Sequence, residues 1–321
     1  MADAPSWLWI PVVLCSAVAQ TTRNAAQRSL TSTAGTMGAT LVRFLYGLPF
    51  ALAWVGVMQV VSGEMTALPH LTGRYIGWLL LGALAQASAT ALLVASMHRG
   101  NFVIAVTYSK TEVLQVAFLG ALLLHEVPTG LAFLAMTIAV IGVVLLAAPS
   151  IPFRADTGLS IIGPVAVFGL GAGSSFALAV IAYRIAGLEF MRTGPYSAWY
   201  VGGWTVLLAQ LLQTAVICAW MACRSKTELG AVFSSWRVSG LAGLAGAVAS
   251  ITGVVAYILQ AAADVRALSM IEVVLSYAVS KRFMHEQVSR TEQLGLILVM
   301  AGVVCVCLGA GVSPRGTRVD F

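Results

Sequence analysis

Charge is scarce in this sequence. Only 9% of its 321 residues are Asp, Glu, Lys or Arg, where a soluble domain carries about 25%. Hydrophobic residues make up 59% and the mean hydropathy is +0.91, which excludes a soluble globular domain and implies an integral membrane protein. Cysteine is rare too. Cys15, Cys218, Cys223, Cys305 and Cys307 fall within or at the edges of apolar runs, form no zinc-type pair of CxxC motifs, and read as packing residues. Of the 4 histidines, two begin the pairs His125-Glu126 ("HEVPT") and His285-Glu286 ("HEQVS"), neither of which continues to HExxH, so that metalloprotease motif is absent. No nucleophile-base motif appears and no cofactor or metal is implied, so an enzyme is not expected. The net charge of +6 comes from basic residues spread singly over many loops, which form no nucleic-acid patch and suit anionic lipid headgroups. The start "MADAPSWLWIPVVLC" lacks the basic opening of a cleavable signal, so the first apolar run is expected to stay in the chain.

Long apolar runs are what the sequence has in abundance. A bilayer core needs about 20 mainly apolar residues per helix. Runs of that length fall at 7–28, 37–61, 74–97, 102–124, 129–149, 159–187, 196–222, 237–260, 266–284 and 289–311. Backbone polar groups in lipid must be satisfied within each segment, so these spans predict helices rather than barrel strands. The expectation is an all-α integral membrane protein of ten transmembrane helices, multi-pass in the cell membrane, with no soluble domain.

The chain repeats itself. A shift of 160 residues lays "SKTEVLQVAFLGALLLHEV" (109–127) over "SMIEVVLSYAVSKRFMHEQ" (269–287) without a gap. Ser109 meets Ser269, Glu112 meets Glu272, His125-Glu126 meets His285-Glu286, and Gly142 meets Gly302. Apolar matches are cheap in this composition, but charged residues and histidines are rare, so three such coincidences argue for a repeat. It divides the chain into 1–150 and 151–321, five spans each. An odd number of spans per half makes the halves enter the membrane in opposite directions, the inverted repeat found in many secondary transporters.

Ten spans in a 5+5 repeat, with an acid at the end of the fourth span before a Gly-rich fifth ("LLLHEVPTG…IGVVLL") and again at the ninth and tenth ("RFMHEQVSR…AGVVCV"), resemble the drug/metabolite transporter superfamily, EamA type. Glu126 and Glu286 match that pattern, and Arg43 in "LVRFLYGLPF" resembles the second-span arginine of many members. The resemblance implies secondary transport of a small metabolite or drug without ATP hydrolysis, and both termini inside. The loop charges point the other way. The side shared with the amino terminus has Arg74, Arg184, Arg192, Arg266, Arg315 and Arg318, whereas the opposite side has ten basic residues, Arg23 and Arg28 among them, which favours both termini outside.

The intramembrane charges carry the functional expectation. Glu112 lies 13 residues before His125, about 20 Å along a helix, which puts it near mid-depth, and Glu272 repeats the geometry. A charge at the centre of a transmembrane helix costs roughly 2.5–3.5 kcal/mol on insertion scales, so a cavity is one reading. The other is structural: Ser109-x-x-Glu112 and Ser269-x-x-Glu272 put both groups on one helical face, or make capping boxes if helices start there. Lys110 is about 200° from Glu112 around a helix, so its partner lies elsewhere; Glu272, a substrate carboxylate and the lipid interface are the options. Arg43 suits an anionic group or a structural ion pair. Tyr196, Trp199, Tyr200 and Trp204 suit an aromatic belt or a stacking surface for a ligand. The expected substrate site comprises Glu112, Glu272, Lys110, Arg43, Tyr108, Ser109, Ser269, Tyr200 and Trp199, serving a small polar or zwitterionic solute, with protons as a possible coupling ion. A proton-coupled exporter of cationic drugs, and a lipid flippase or non-transporting membrane subunit, are the alternatives.

Overall fold

The computed structural model describes residues 7–62, 69–99, 102–147, 164–224, 232–284 and 290–310, with Pro5, Gly230 and the pairs 153–154 and 158–159. His285 and Glu286 lie outside the described residues. Among the described residues the main helices are α1 (Trp9–Leu45), α2 (Leu48–Ser62), α3 (Gly73–Arg99), α4 (Phe102–Ser109), α5 (Glu112–Leu124), α6 (Gly130–Ala147), α7 (Pro164–Met191), α8 (Ala198–Arg224), α9 (Trp236–Leu259), α10 (Ala262–Leu268), α11 (Ile271–Met284) and α12 (Arg290–Ala310). The all-α expectation gains one small exception, an antiparallel pair of two-residue strands, β1 (Phe153–Arg154) and β2 (Gly158–Leu159), between α6 and α7.

Among the described residues, five helical stretches are long and apolar enough to cross a membrane: Trp9–Val61, Gly73–Arg99, Val165–Met191, Ala198–Arg224 and Trp236–Leu259. The first is not one straight rod. Gly35 sits at φ 67°, ψ −178°, a region open essentially only to glycine. Gln27 Nε2 donates to the carbonyl of Ala39 at 2.9 Å, although residues 12 apart on a straight helix are about 18 Å apart. The chain therefore doubles back at Gly35, between the first two expected spans.

Two expected spans are broken. The run 102–124 divides at Lys110 and Thr111 into α4 and α5, and the run 266–284 starts earlier, at Ala262, and divides at Ser269 and Met270 into α10 and α11. Both breaks are tight turns of i→i−3 character: the Thr111 and Val113 amides donate to Tyr108 and Lys110 carbonyls, and the Met270, Glu272 and Val273 amides to Ala267, Ser269 and Met270 carbonyls. Ser109 Oγ donates to the Val106 carbonyl and Ser269 Oγ to the Arg266 carbonyl, each at 2.7 Å. The serine-to-glutamate pairing and the capping box are thus not formed; each serine bonds backwards across its break.

The two helix breaks, at 110–111 and 269–270, fall within one residue of the 160-residue spacing. Packing between elements follows the same exchange. α1 lies against α9 and α7 against α3, α2 packs on α8, and α6 packs on α12. At the last crossing a Cβ on Gly142 would come within 2.7 Å of the Gly295 carbonyl, and one on Gly302 within 2.7 Å of the Ala135 carbonyl, so only glycine lets these backbones meet.

Large apolar side chains such as Leu52, Val57, Val60, Phe118, Leu122, Ile297 and Val304 point outward, while Arg23, Arg43, Lys110, Glu112, Arg266 and Glu272 are buried. This inversion of the soluble pattern is what a protein in lipid requires. Cys218, Cys305 and Cys307 pack against the core as expected, but Cys15 and Cys223 are exposed. Arg23, Arg184 and Arg266 are buried side chains of α1, α7 and α10 rather than loop charges, so they drop out of the charge count, which widens its imbalance.

Candidate functional site

The helix breaks bring the buried charges together. Turning at 110–111 lets Lys110 and Glu112 approach to 3.9 Å, closer than their spacing on a continuous helix allows, while the lysine ammonium lies 2.5 Å from Glu272 Oε2. Lys110 thus finds its main partner across the repeat, and a second carboxylate beside it. Glu272 also accepts from Gln20 Nε2 at 2.5 Å and from Asn24 Nδ2 at 2.9 Å. Glu112 pairs with Arg266, whose Nη1 reaches Tyr257 Oη at 3.3 Å. Both carboxylates are 1% exposed, so these contacts, and not water, hold their charge.

Two further cations complete the cluster. Arg23 donates from Nε and Nη2 to Asn24 Oδ1 at 3.2 and 2.8 Å. Arg43 donates from Nη1 to Thr90 Oγ1 at 2.7 Å and from Nη2 to Ser250 Oγ at 3.5 Å. Thr90 and Ser250 are 160 residues apart, so one arginine bridges two repeat-equivalent hydroxyls.

These charged groups line one cavity. Five pairs of lining residues are related by the 160-residue shift: Ser16 with Phe176, Gln20 with Val180, Arg23 with Tyr183, Leu93 with Gly253, and Glu112 with Glu272. Placement is symmetric and chemistry is not. The α1 wall offers Ser16, Gln20, Arg23 and Asn24, and the α7 wall offers Phe176, Ala179, Val180 and Tyr183.

Of the residues expected from sequence, Lys110, Glu112, Glu272, Arg43 and Ser109 line this cavity, while Tyr108, Ser269, Tyr200 and Trp199 are outside its lining. Tyr108 packs on Gly169 of α7. Tyr200 stacks on Tyr196 at 5.2 Å between ring centroids and meets Phe190 edge-on, and Trp199 lies against Trp54 at 5.8 Å, so the aromatic stripe is absorbed in helix packing. Arg23 and Arg266 were not expected here. Each lies within a turn or two of an expected loop, where a basic residue reads as interfacial. Arg266 had one signal: the repeat places the Ser269 break three residues after it.

The His-Glu pair has a separate, structural place. His125 closes α5 in the left-handed conformation, with the Glu126 amide donating to the Gly120 carbonyl at 3.1 Å. Glu126 pairs with Arg184, which also donates to the carbonyls of Tyr257 and Gln260.

No protein-family model matches the chain, and no curated protein sequence matches it. A solved structure that carries only the description "Crystal structure of protein" is similar over 96% of this chain and 99% of its own, with a TM-score of 0.66 at 14% identity. At that identity the likeness is one of fold.

Proposed function

We propose that the protein is a secondary transporter of a small polar solute across the cell membrane, working by alternating access between two inverted five-helix halves, as in the EamA-type drug/metabolite transporters its sequence resembles. The observation that carries this reading is the buried, charge-lined cavity where repeat-equivalent residues of both halves face each other. A soluble core gains nothing from six buried charges, and a lipid-filled or purely structural bundle would be more stable with apolar residues in their place. Ten spans follow if the stretch through Gly35 counts as two and the broken pairs α4–α5 and α10–α11 as one each, alongside α6 and α12. In transporters of this kind, discontinuous helices at the repeat interface build the site. The two breaks supply that feature, and tight mid-helix turns supply hinges.

The arrangement of charges disfavours the exporter of cations. Both carboxylates already hold cations of the protein, and a cationic solute would have to displace Lys110 or share Glu112 with Arg266. A flippase needs no paired acids and bases in its cavity.

Reconstitution into proteoliposomes with an imposed pH gradient tests the reading. Solute movement should be carried by the wild type and fall about tenfold or more in Glu112→Gln and Glu272→Gln, because each change leaves a buried cation without its partner. Transport by both variants at the wild-type rate at every pH would remove the carboxylates from the mechanism.

A further inference from the structure

The charges around the cavity do not balance. Arg23, Arg43, Lys110 and Arg266 face Glu112 and Glu272, four cations against two carboxylates. Lys110 pairs with Glu272 and Arg266 pairs with Glu112, which uses both acids. Arg23 and Arg43 are left with neutral partners: an amide oxygen for one, two hydroxyls for the other, and no carboxylate within 4 Å among the described residues. Each is 2% exposed, and each retains an unbonded donor, Nη1 of Arg23 and Nε of Arg43. Their stems run side by side. A methyl placed on Gly246 would lie 3.2 Å from Arg43 Cγ and 3.5 Å from Arg23 Cδ, so this glycine leaves room for both.

A buried guanidinium without a counter-charge is strongly unfavourable, and a pair of them more so. Guanidinium donors match the paired oxygens of a carboxylate or phosphate. Asn24, which accepts from Arg23 and donates to Glu272, separates that acid from the arginine and keeps its charge engaged with Lys110. The opposite wall, Phe176, Val180 and Tyr183, offers apolar surface instead of further charge.

We propose that the solute is a small organic anion, with its oxyanion group between Arg23 and Arg43 and an apolar body against Phe176 and Val180. This rests on the transporter reading and narrows its substrate class. A zwitterion fits less well, since Glu272 and Glu112 each already hold a cation of the protein and only Glu112 Oε2 is left without a bond for an ammonium group. Among the described residues the cavity lining carries two more positive than negative charges; the solute supplies the negative one.

The test uses the full-length protein in lipid nanodiscs and four probes: benzoate, inorganic phosphate, benzylammonium and L-phenylalanine. Benzoate should bind at least about tenfold more tightly than each of the others. Arg23→Met and Arg43→Met should each weaken benzoate by about tenfold or more and raise the melting temperature of the ligand-free protein, because each removes an uncompensated buried charge. Phe176→Ala should weaken benzoate and leave phosphate unchanged. Tighter binding of benzylammonium or L-phenylalanine than of benzoate by the wild type overturns the proposal, as does wild-type benzoate affinity in both arginine variants, or a lowered ligand-free melting temperature in both, the mark of structural arginines. Solute counterflow in proteoliposomes separates the two levels. Counterflow of benzylammonium but not benzoate sinks the anion proposal and leaves a transporter; benzoate binding with no counterflow sinks the transporter and leaves an anion site.

Discussion

Lys110→Met should destabilise the protein by about 3–5 kcal/mol and abolish transport, since it strips Glu272 of the ammonium 2.5 Å away and leaves a carboxylate that is 1% exposed. Methionine is the residue the chain itself has at the equivalent position, Met270, so the change is mild in shape and severe in charge. Gln20 and Asn24 would still donate to Glu272, but two amide bonds do not replace a counter-ion. The double variant Lys110→Met, Glu272→Gln should recover most of the stability and none of the transport, because removing both charges costs far less than removing one. Thermal melting in detergent measures the first difference and solute uptake the second. Equal melting temperatures for the single variant and the wild type would mean that the pair is not formed.

Arg266→Gln is the second large effect, and its signature differs. Glu112 would lose its ion-pair partner, yet Lys110 stands 3.9 Å away and can turn towards it. The fold should therefore survive with a smaller loss of stability than in Lys110→Met. Transport should still fall by about a hundredfold, because Lys110 would be shared between two acids where the wild type gives it one. Restoring neutrality with Glu112→Gln in the same chain should return the stability and not the rate. A transport rate within about twofold of wild type in Arg266→Gln would show that the Glu112 pair takes no part in the cycle.

The two effects explain what could be read without coordinates. Lys110, Glu112, Glu272 and Arg43 stand out in the sequence because charge inside a long apolar run is expensive and rare, and the 160-residue repeat already separates the duplicated acids from the unduplicated lysine. The cavity brings those four together. Arg266 and Arg23 do not stand out, because near the end of an apolar run a buried cation and a loop cation look alike. The helix breaks are equally hidden. Neither "SKTEV" nor "SMIEV" contains proline or glycine, and the hydroxyl bond back to a carbonyl at each break also forms inside an unbroken stretch of α1 at Ser29 and Thr31, so tertiary contacts decide where the helix parts. The aromatic residues mislead for the opposite reason: spacing alone fits both a belt and a ligand cage, and Tyr196 and Tyr200 satisfy each other's faces.

The reversal at Gly35 belongs with these. Its sequence, "TSTAGTMGAT", reads as a break between two spans; the glycine-only backbone there and the Gln27 bond to Ala39 fix where the chain turns. That turn brings Arg23 and Arg43, 20 residues apart in sequence, to the same patch of α9 at Gly246.

Alternating access is the claim on which the rest depends, and thiol accessibility tests it most directly. In a chain whose five native cysteines are replaced, single cysteines are introduced as Ser16→Cys and Phe176→Cys, repeat-equivalent positions on opposite walls of the cavity. A membrane-impermeant thiol reagent is then applied to one face of sealed vesicles or to the other. The account predicts that both positions react from both faces, since each half of the cycle opens the same cavity to one side. Reaction from a single face only, at both positions, would contradict it.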